Sequence, residues 1–165
     1  MTSGSKYKDK KVETIYLKNI CLGKADDSLE KVLLTWQKTN RRVYVVVNEE
    51  KKAEGIITLY DILEEIVPYF LKIDKILSFL SSNELIDKEK FKKLKNKKAK
   101  EVMTKNPISV RISDDLMRVI TLMYSYNFDY LPVIDENEKV VGIVDKEAIE
   151  NQIVYLVNDI DKLEE

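Results

Sequence analysis

Thr58 and Asp61 stand three residues apart at the head of an apolar-periodic run, Ile62, Leu63, Ile66 and Val67. On a helix this spacing puts the threonine at the N-cap and the carboxylate one turn on. Two readings follow. The free backbone N–H groups and the positive dipole end of a helix start favour an anion such as a phosphate. The same Thr-x-x-Asp is also a capping-box-like pair, which stabilises a helix start with nothing bound.

Other chemistries are excluded by composition. The 165 residues contain no histidine, which removes Ser-His-Asp and Cys-His nucleophile systems, histidine general bases and histidine-ligated zinc. Cys21, the single cysteine, lies in an apolar stretch with no base near it in sequence and reads as a small core residue. No intrachain disulfide can form. The expectation is a protein with no catalytic residues, no catalytic cofactor and no metal.

The elements that must position Thr58 and Asp61 occur twice. An offset of 87 residues places Asn19 on Asn106, Asp27 on Asp114, Leu29 on Leu116, Val32 on Val119 and Asn40 on Asn127, and continues through Gly55 on Gly142 to Ile66 on Ile153 without a gap. Each copy reads as a short extended piece (Ile20 to Leu22; Ile108 to Val110), an N-cap at Asp26 or Ser113, and a helix with one apolar face. A hairpin follows, from Val43–Val47 to Gly55-Ile56-Ile57 and from Tyr130–Ile134 to Gly142-Ile143-Val144, and then a closing helix. The fold class is therefore α/β (α+β), two β-α-β-β-α repeats.

This division gives an N-terminal tail over 1–14, a first domain over 15–70, a helical, lysine-rich connector over 71–101, a second domain over 102–157 and an acidic end over 158–165. The connector opens on apolar residues (Leu71, Ile73, Ile76, Leu77, Phe79, Leu80), after Pro68 interrupts the helix before it. It closes with eight lysines and one glutamate between Lys88 and Lys100, read as a solvated face or linker. With 44% hydrophobic and 35% charged residues the chain is globular. Its 28 basic against 29 acidic residues give no global attraction to nucleic acid or anionic membranes. No apolar run approaches the roughly 18 residues that span a bilayer, and the start has no signal-peptide core, so the expected location is cytoplasmic.

The repeated residues resemble a tandem pair of CBS domains, the Bateman module. In the second copy these are Val102-Met103-Thr104, Pro107-Ile108-Ser109-Val110, Leu131-Pro132-Val133-Ile134-Asp135 and Gly142-Ile143-Val144; in the first, Gly55-Ile56-Ile57-Thr58-Leu59-Tyr60-Asp61 is similar to the family's Gly-x-apolar-Ser/Thr-x-x-Asp signature. The resemblance implies two sheets packed with pseudo-twofold symmetry as a disc, clefts between the repeats, and pairing of discs into homodimers. It also implies an adenosyl ligand such as AMP, ADP, ATP, NAD or S-adenosylmethionine. Carried onto this chain, it makes Asp61 an acceptor for both ribose hydroxyls, Thr58 and Arg42 phosphate contacts, and Gly55 a point of close backbone approach. Ile20, Leu22, Tyr44 and Ile57 become apolar walls for a purine.

The two copies differ at these positions. Arg42, Thr58 and Asp61 align with Asp129, Asp145 and Ala148, so the second copy puts carboxylates where a phosphate would lie and has no ribose acceptor. The reading is a regulatory module, with a nucleotide site in the first copy, that signals through dimer arrangement to an effector protein in trans. Alternatives are a ligand-free dimerisation scaffold and, through the lysine run, a nucleic-acid binder.

Overall fold

The computed structural model describes residues 10–67 and 88–161. The apolar stretch Leu71–Leu80, Pro68 and the last four residues lie outside them. The chain divides into two compact units.

The unit that carries the first copy comprises residues Cys21–Glu49 and Ala53–Asn106. It contains β1 (Cys21–Gly23), α1 (Leu29–Thr39), β2 (Val43–Val47), β3 (Ala53–Thr58), α2 (Leu59–Ile66), α3 (Lys88–Asn96), α4 (Ala99–Val102) and β4 (Thr104–Lys105). The sheet order is β1-β2-β3-β4, with β1 parallel to β2 and the other pairs antiparallel. Tyr44, Val46 and Ile57 pack with Leu29, Val32 and Trp36 of α1 and Ile62 of α2, because alternate strand residues face the helices. Leu94 and Ala99 complete that core. The basic half of the connector is therefore part of the unit and not only a linker: the lysines from Lys90 to Lys100 keep to its surface while Leu94 and Ala99 are buried, Phe91 staying exposed.

The other unit comprises residues up to Ile20, Glu50–Lys52, and Pro107 onward. It holds β5 (Val110–Arg111), α5 (Leu116–Tyr126), β6 (Tyr130–Ile134), β7 (Val140–Asp145) and α6 (Lys146–Asp161), with sheet order β5-β6-β7. A 3₁₀ turn at Val12–Thr14 belongs here as well. Val12 and Ile15 are buried among Val110, Leu116, Val119 and Val133, and Leu17 bridges to Ile143. Val12, read as tail from sequence, is thus core, while Glu13 and Thr14 stay exposed.

The additions to the two units correspond. The bridge from Leu17 to Ile143 and the pair Thr104–Ile56 are the same pair shifted by the repeat offset. Each copy is completed by the segment that precedes the other copy. The two hairpin glycines record this. A Cβ on Gly55 would lie 2.2 Å from Met103 Sδ, which would have to move aside, and one on Gly142 would lie 2.3 Å from the Tyr16 ring and 2.6 Å from the Leu17 carbonyl oxygen, a backbone atom.

The helix starts fall two residues beyond the expected caps. Ser28, not Asp26, caps α1, its hydroxyl accepting from the Lys31 N–H (3.2 Å); Asp115, not Ser113, caps α5, accepting from the Arg118 N–H (2.8 Å). Both helices end on an asparagine in the left-handed region, Asn40 and Asn127, each with φ 53°, a conformation asparagine tolerates better than other non-glycine residues.

Candidate functional site

Thr58 ends β3 and is the N-cap of α2. Asp61 turns its carboxylate back onto that start: Oδ2 accepts from the Thr58 backbone N–H at 2.6 Å and from the Thr58 hydroxyl at 2.8 Å. Its other oxygen, Oδ1, accepts from the Thr104 hydroxyl at 3.0 Å. The structure thus brings Thr58 and Asp61 together as a cap and adds a third member that sequence reasoning missed. Thr104 lies 43 residues from Asp61 and reads as the start of the second copy. Only its pairing with Ile56 as an edge strand carries it to α2.

Arg42 lies next to this helix start, since Val43 pairs with Thr58. Its guanidinium turns the other way. Nη1 donates to the Arg41 carbonyl (3.0 Å) and to the Trp36 carbonyl (3.5 Å) near the end of α1, where a cation complements the helix dipole. Gly55 sits under Met103, so the close approach its missing side chain permits is made by the chain's own residue. Tyr44 and Ile57 are ladder partners with no exposed surface; Leu22 is 39% exposed and Ile20 half-buried.

Tyr44 is also polar at its tip. Its hydroxyl donates to Asp27 Oδ2 (2.9 Å), and burial, followed by this bond to a carboxylate, holds the phenol well above its ordinary pKa. Asp27 also accepts from Lys31 Nζ (2.6 Å) and the Lys24 N–H (2.7 Å). Burial acts to raise the Asp27 pKa, but the Lys31, Lys24 and Tyr44 hydrogen bonds outweigh it and leave the carboxyl below its ordinary value.

The second copy is built differently at the aligned positions. Asp145 accepts from the Ala148 N–H at 2.8 Å, capping α6. Asp129 is paired with Lys146, the first residue of α6. The expected pair of uncompensated carboxylates is therefore half neutralised by a lysine that aligns with Leu59. Comparing only positions 129, 145 and 148 hides it. This unit also has a cavity of about 400 Å³ lined by residues that include Lys11, Arg111, Asp135 and Glu136. At the matching hairpin tip of the first copy, Lys24 closes the gap by bonding Glu49 (3.0 Å) and the Asn48 carbonyl (3.1 Å).

Four of the eight lysines in the run are held in ion pairs. Lys92 pairs with Glu89, Lys95 with Glu30, Lys97 with Glu65 and Lys100 with Asp26, which leaves less free charge for a polyanion than the sequence count suggests. Cys21 is buried, its Sγ 3.0 Å from the Thr39 hydroxyl. Among the described residues no group of acidic or cysteine side chains is arranged to hold a metal ion, and no helix is long and apolar enough to cross a membrane.

A repeated unit of this topology, with Gly-x-apolar-Thr-x-x-Asp turning from strand into helix, is the signature of a known module. Residues 24–68 and 99–155 match the CBS domain family model, and the chain belongs to the CBS domain family as a tandem pair. The pair is similar to the CBS domain pair of protein MJ0100, whose structure is a complex with 5′-methylthioadenosine and S-adenosylmethionine: 26% identical, TM-score 0.64, covering 87% of this chain and 99% of that one. A CBS domain-containing protein of Bacillus anthracis shares the fold at 16% identity, with a TM-score of 0.72 over 92% of this chain and 98% of that one. Among curated proteins the chain is 28% identical over 145 residues to homoserine O-acetyltransferase of Methanococcus vannielii, covering 88% of this chain and 25% of the relative. It is 30% identical over 108 residues to that of Methanosalsum zhilinae, covering 66% and 17%. The chain thus spans a quarter or less of these curated relatives.

Proposed function

We propose that the chain is a regulatory module that binds an adenosyl ligand beside the start of α2 in the first copy. The observation that carries this reading is the joined pair Thr58–Asp61 at a helix N-terminus, in a family member similar to a pair bound to adenosyl compounds. Asp61 accepts the ribose hydroxyls, the α2 start and Thr58 receive an anionic or polar 5′ group, and Arg42 rotates from its carbonyl partners to add charge there. Ile20 and Leu22 flank the purine, while the buried Tyr44, Gly55 and Ile57 support the site from within the sheet. The second copy, with Asp145, Ala148 and the Asp129–Lys146 pair, takes no ligand in this manner.

The role is control, not catalysis. Exposed apolar side chains on α2 (Leu59, Tyr60, Leu63) and α6 (Ile153, Val154, Tyr155, Val157) suit a homodimer whose arrangement the ligand biases through its differential affinity for two states. Because the matched part of the curated relatives is a minor share of acyl-transferring enzymes, the effector we favour is such an enzyme, in the same chain or in trans. The module works in the cytoplasm, where these ligands are made.

The test is a thermal-shift and calorimetric screen with AMP, ADP, ATP, NAD, S-adenosylmethionine and 5′-methylthioadenosine. A ligand at 100 times its dissociation constant adds about 2.7 kcal/mol of stability. Asp61→Ala should abolish that gain and Asp145→Ala should leave it intact. No shift with any compound rejects the reading; equal effects of the two substitutions place the site in the wrong copy.

A further inference from the structure

Asp61 has more claims on it than its oxygens can meet. Three donors already hold it, two from Thr58 on Oδ2 and the Thr104 hydroxyl on Oδ1. A carboxylate offers about four lone-pair positions, and a ribose brings two hydroxyls. Resting on the adenosyl reading above, we propose that Thr104 is a latch that sets specificity for a vicinal diol: such a ligand gains both bonds to Asp61 only by displacing the Thr104 hydroxyl, and in doing so unties β4 from α2.

The surroundings make the latch consequential. β4 is two exposed residues at the sheet edge, in register with Gly55 and Ile56 of β3. The bond to Asp61 ties this short strand by a side chain to the helix start, where the rest of its hold is backbone pairing and the Met103 side chain against Gly55. β4 is also the last element of its unit before the chain passes into the other at Pro107. A ligand that takes Oδ1 exchanges one hydroxyl bond to a charged oxygen for another, so the exchange is close to neutral and the second ligand hydroxyl decides it. In the other copy Leu17 and Ala148 stand where Thr104 and Asp61 would align, without the hydroxyl or the carboxylate, and no latch of this kind exists there.

The test compares adenosine with 2′-deoxyadenosine by calorimetry on the wild-type chain, Thr104→Val and Thr104→Ser. The valine variant keeps the shape and removes the hydroxyl. It should bind adenosine about three- to tenfold more tightly, the scale of one hydrogen bond, and change 2′-deoxyadenosine by less than about twofold, while the serine variant restores the wild-type ratio. Backbone hydrogen exchange over residues 104–106 gives a second readout: adenosine should speed it in the wild type and have no further effect in Thr104→Val. An unchanged affinity ratio, or weaker adenosine binding by the valine variant, overturns the latch while leaving the adenosyl site standing. Absence of binding by adenosine, AMP and S-adenosylmethionine to wild type and variant alike overturns the adenosyl reading and the latch with it.

Discussion

The turns that lead into α1 and α5 carry the same aspartate and use it differently. Asp27 accepts from the Lys24 N–H, Lys31 and the Tyr44 hydroxyl. Asp114 accepts from the Arg111 N–H and from Arg118 Nε, and among the described residues no aromatic hydroxyl bonds it, Leu131 standing where the first copy has Tyr44. The Tyr44 ring needs room, and Gly23 supplies it: a Cβ there would lie 1.8 Å from the Tyr44 hydroxyl oxygen and 2.4 Å from Asp27 Oδ2. The second copy fills the matching place with Val110. A duplicated frame can thus keep its turn while one copy ties it to a buried tyrosine through a half-buried carboxylate and the other places apolar side chains there.

The largest way to break this comparison is Gly23→Ala, which should cost about 3 kcal/mol or more, since overpacking in a fixed core is destabilising. Phenylalanine at 44 would not relieve it, because the ring carbon Cζ is itself 2.4 Å from the added Cβ. Gly23→Val with Tyr44→Leu, the second copy's pairing, should recover most of the loss. Denaturant unfolding followed by the fluorescence of Trp36, the single tryptophan, decides this. Wild-type stability in Gly23→Ala would mean that the tyrosine does not occupy this space.

A smaller effect should come from acid. The folded Asp27 carboxyl titrates below its ordinary value, so it contributes stability that is present above the unfolded pKa, about 3.9, and lost as pH falls through the depressed folded one. Asp27→Asn should cost about 2 kcal/mol at neutral pH, as hydrogen bonds to a charged group do, and flatten the stability profile below pH 4. Asp114→Asn, with two donors in place of three, should cost less. Equal losses would show that the tyrosine hydroxyl adds nothing. The smallest effect is expected at the ends of α1 and α5. Asn40→Ala and Asn127→Ala should each lose about 1 kcal/mol for placing a Cβ residue in the left-handed region, whereas glycine at either position should stay within a few tenths; a difference between the two sites would mean that their surroundings matter more than their dihedrals.

Much of this frame was legible in the sequence, because repeat offset and hydrophobic period report strands and helices directly. The helix starts were misplaced by two residues for a local reason. Asp26-Asp27-Ser28 and Ser113-Asp114-Asp115 each present three residues able to cap, and only backbone geometry assigns the middle one to the turn and the third to the helix. The exchanged segments were missed because a few buried residues, Val12 and Ile15 or Leu94 and Ala99, make no period among lysines. One signal was present: the same offset places Lys10 on Lys97 and Lys11 on Lys98, so the duplication extends upstream of the part read as a domain. The Thr104 contact with Asp61 left no sequence signal, since it depends on an edge strand two residues long. Thr58 and Asp61 were legible as a pair because a helix start is a local event.

The exchange of segments also sets an order of assembly. During synthesis the first copy has its hairpin and both helices early, yet it lacks an edge until Thr104 and Lys105 have been made. The residues around Leu17 must wait for a partner at Ile143, 126 residues downstream. Closing so distant a contact is slow and leaves an unpaired strand edge exposed in the meantime. The unit assembled from the pieces on either side of the first copy is therefore the later to be completed, and the rate at which a newborn molecule becomes functional is governed by the contact around Leu17.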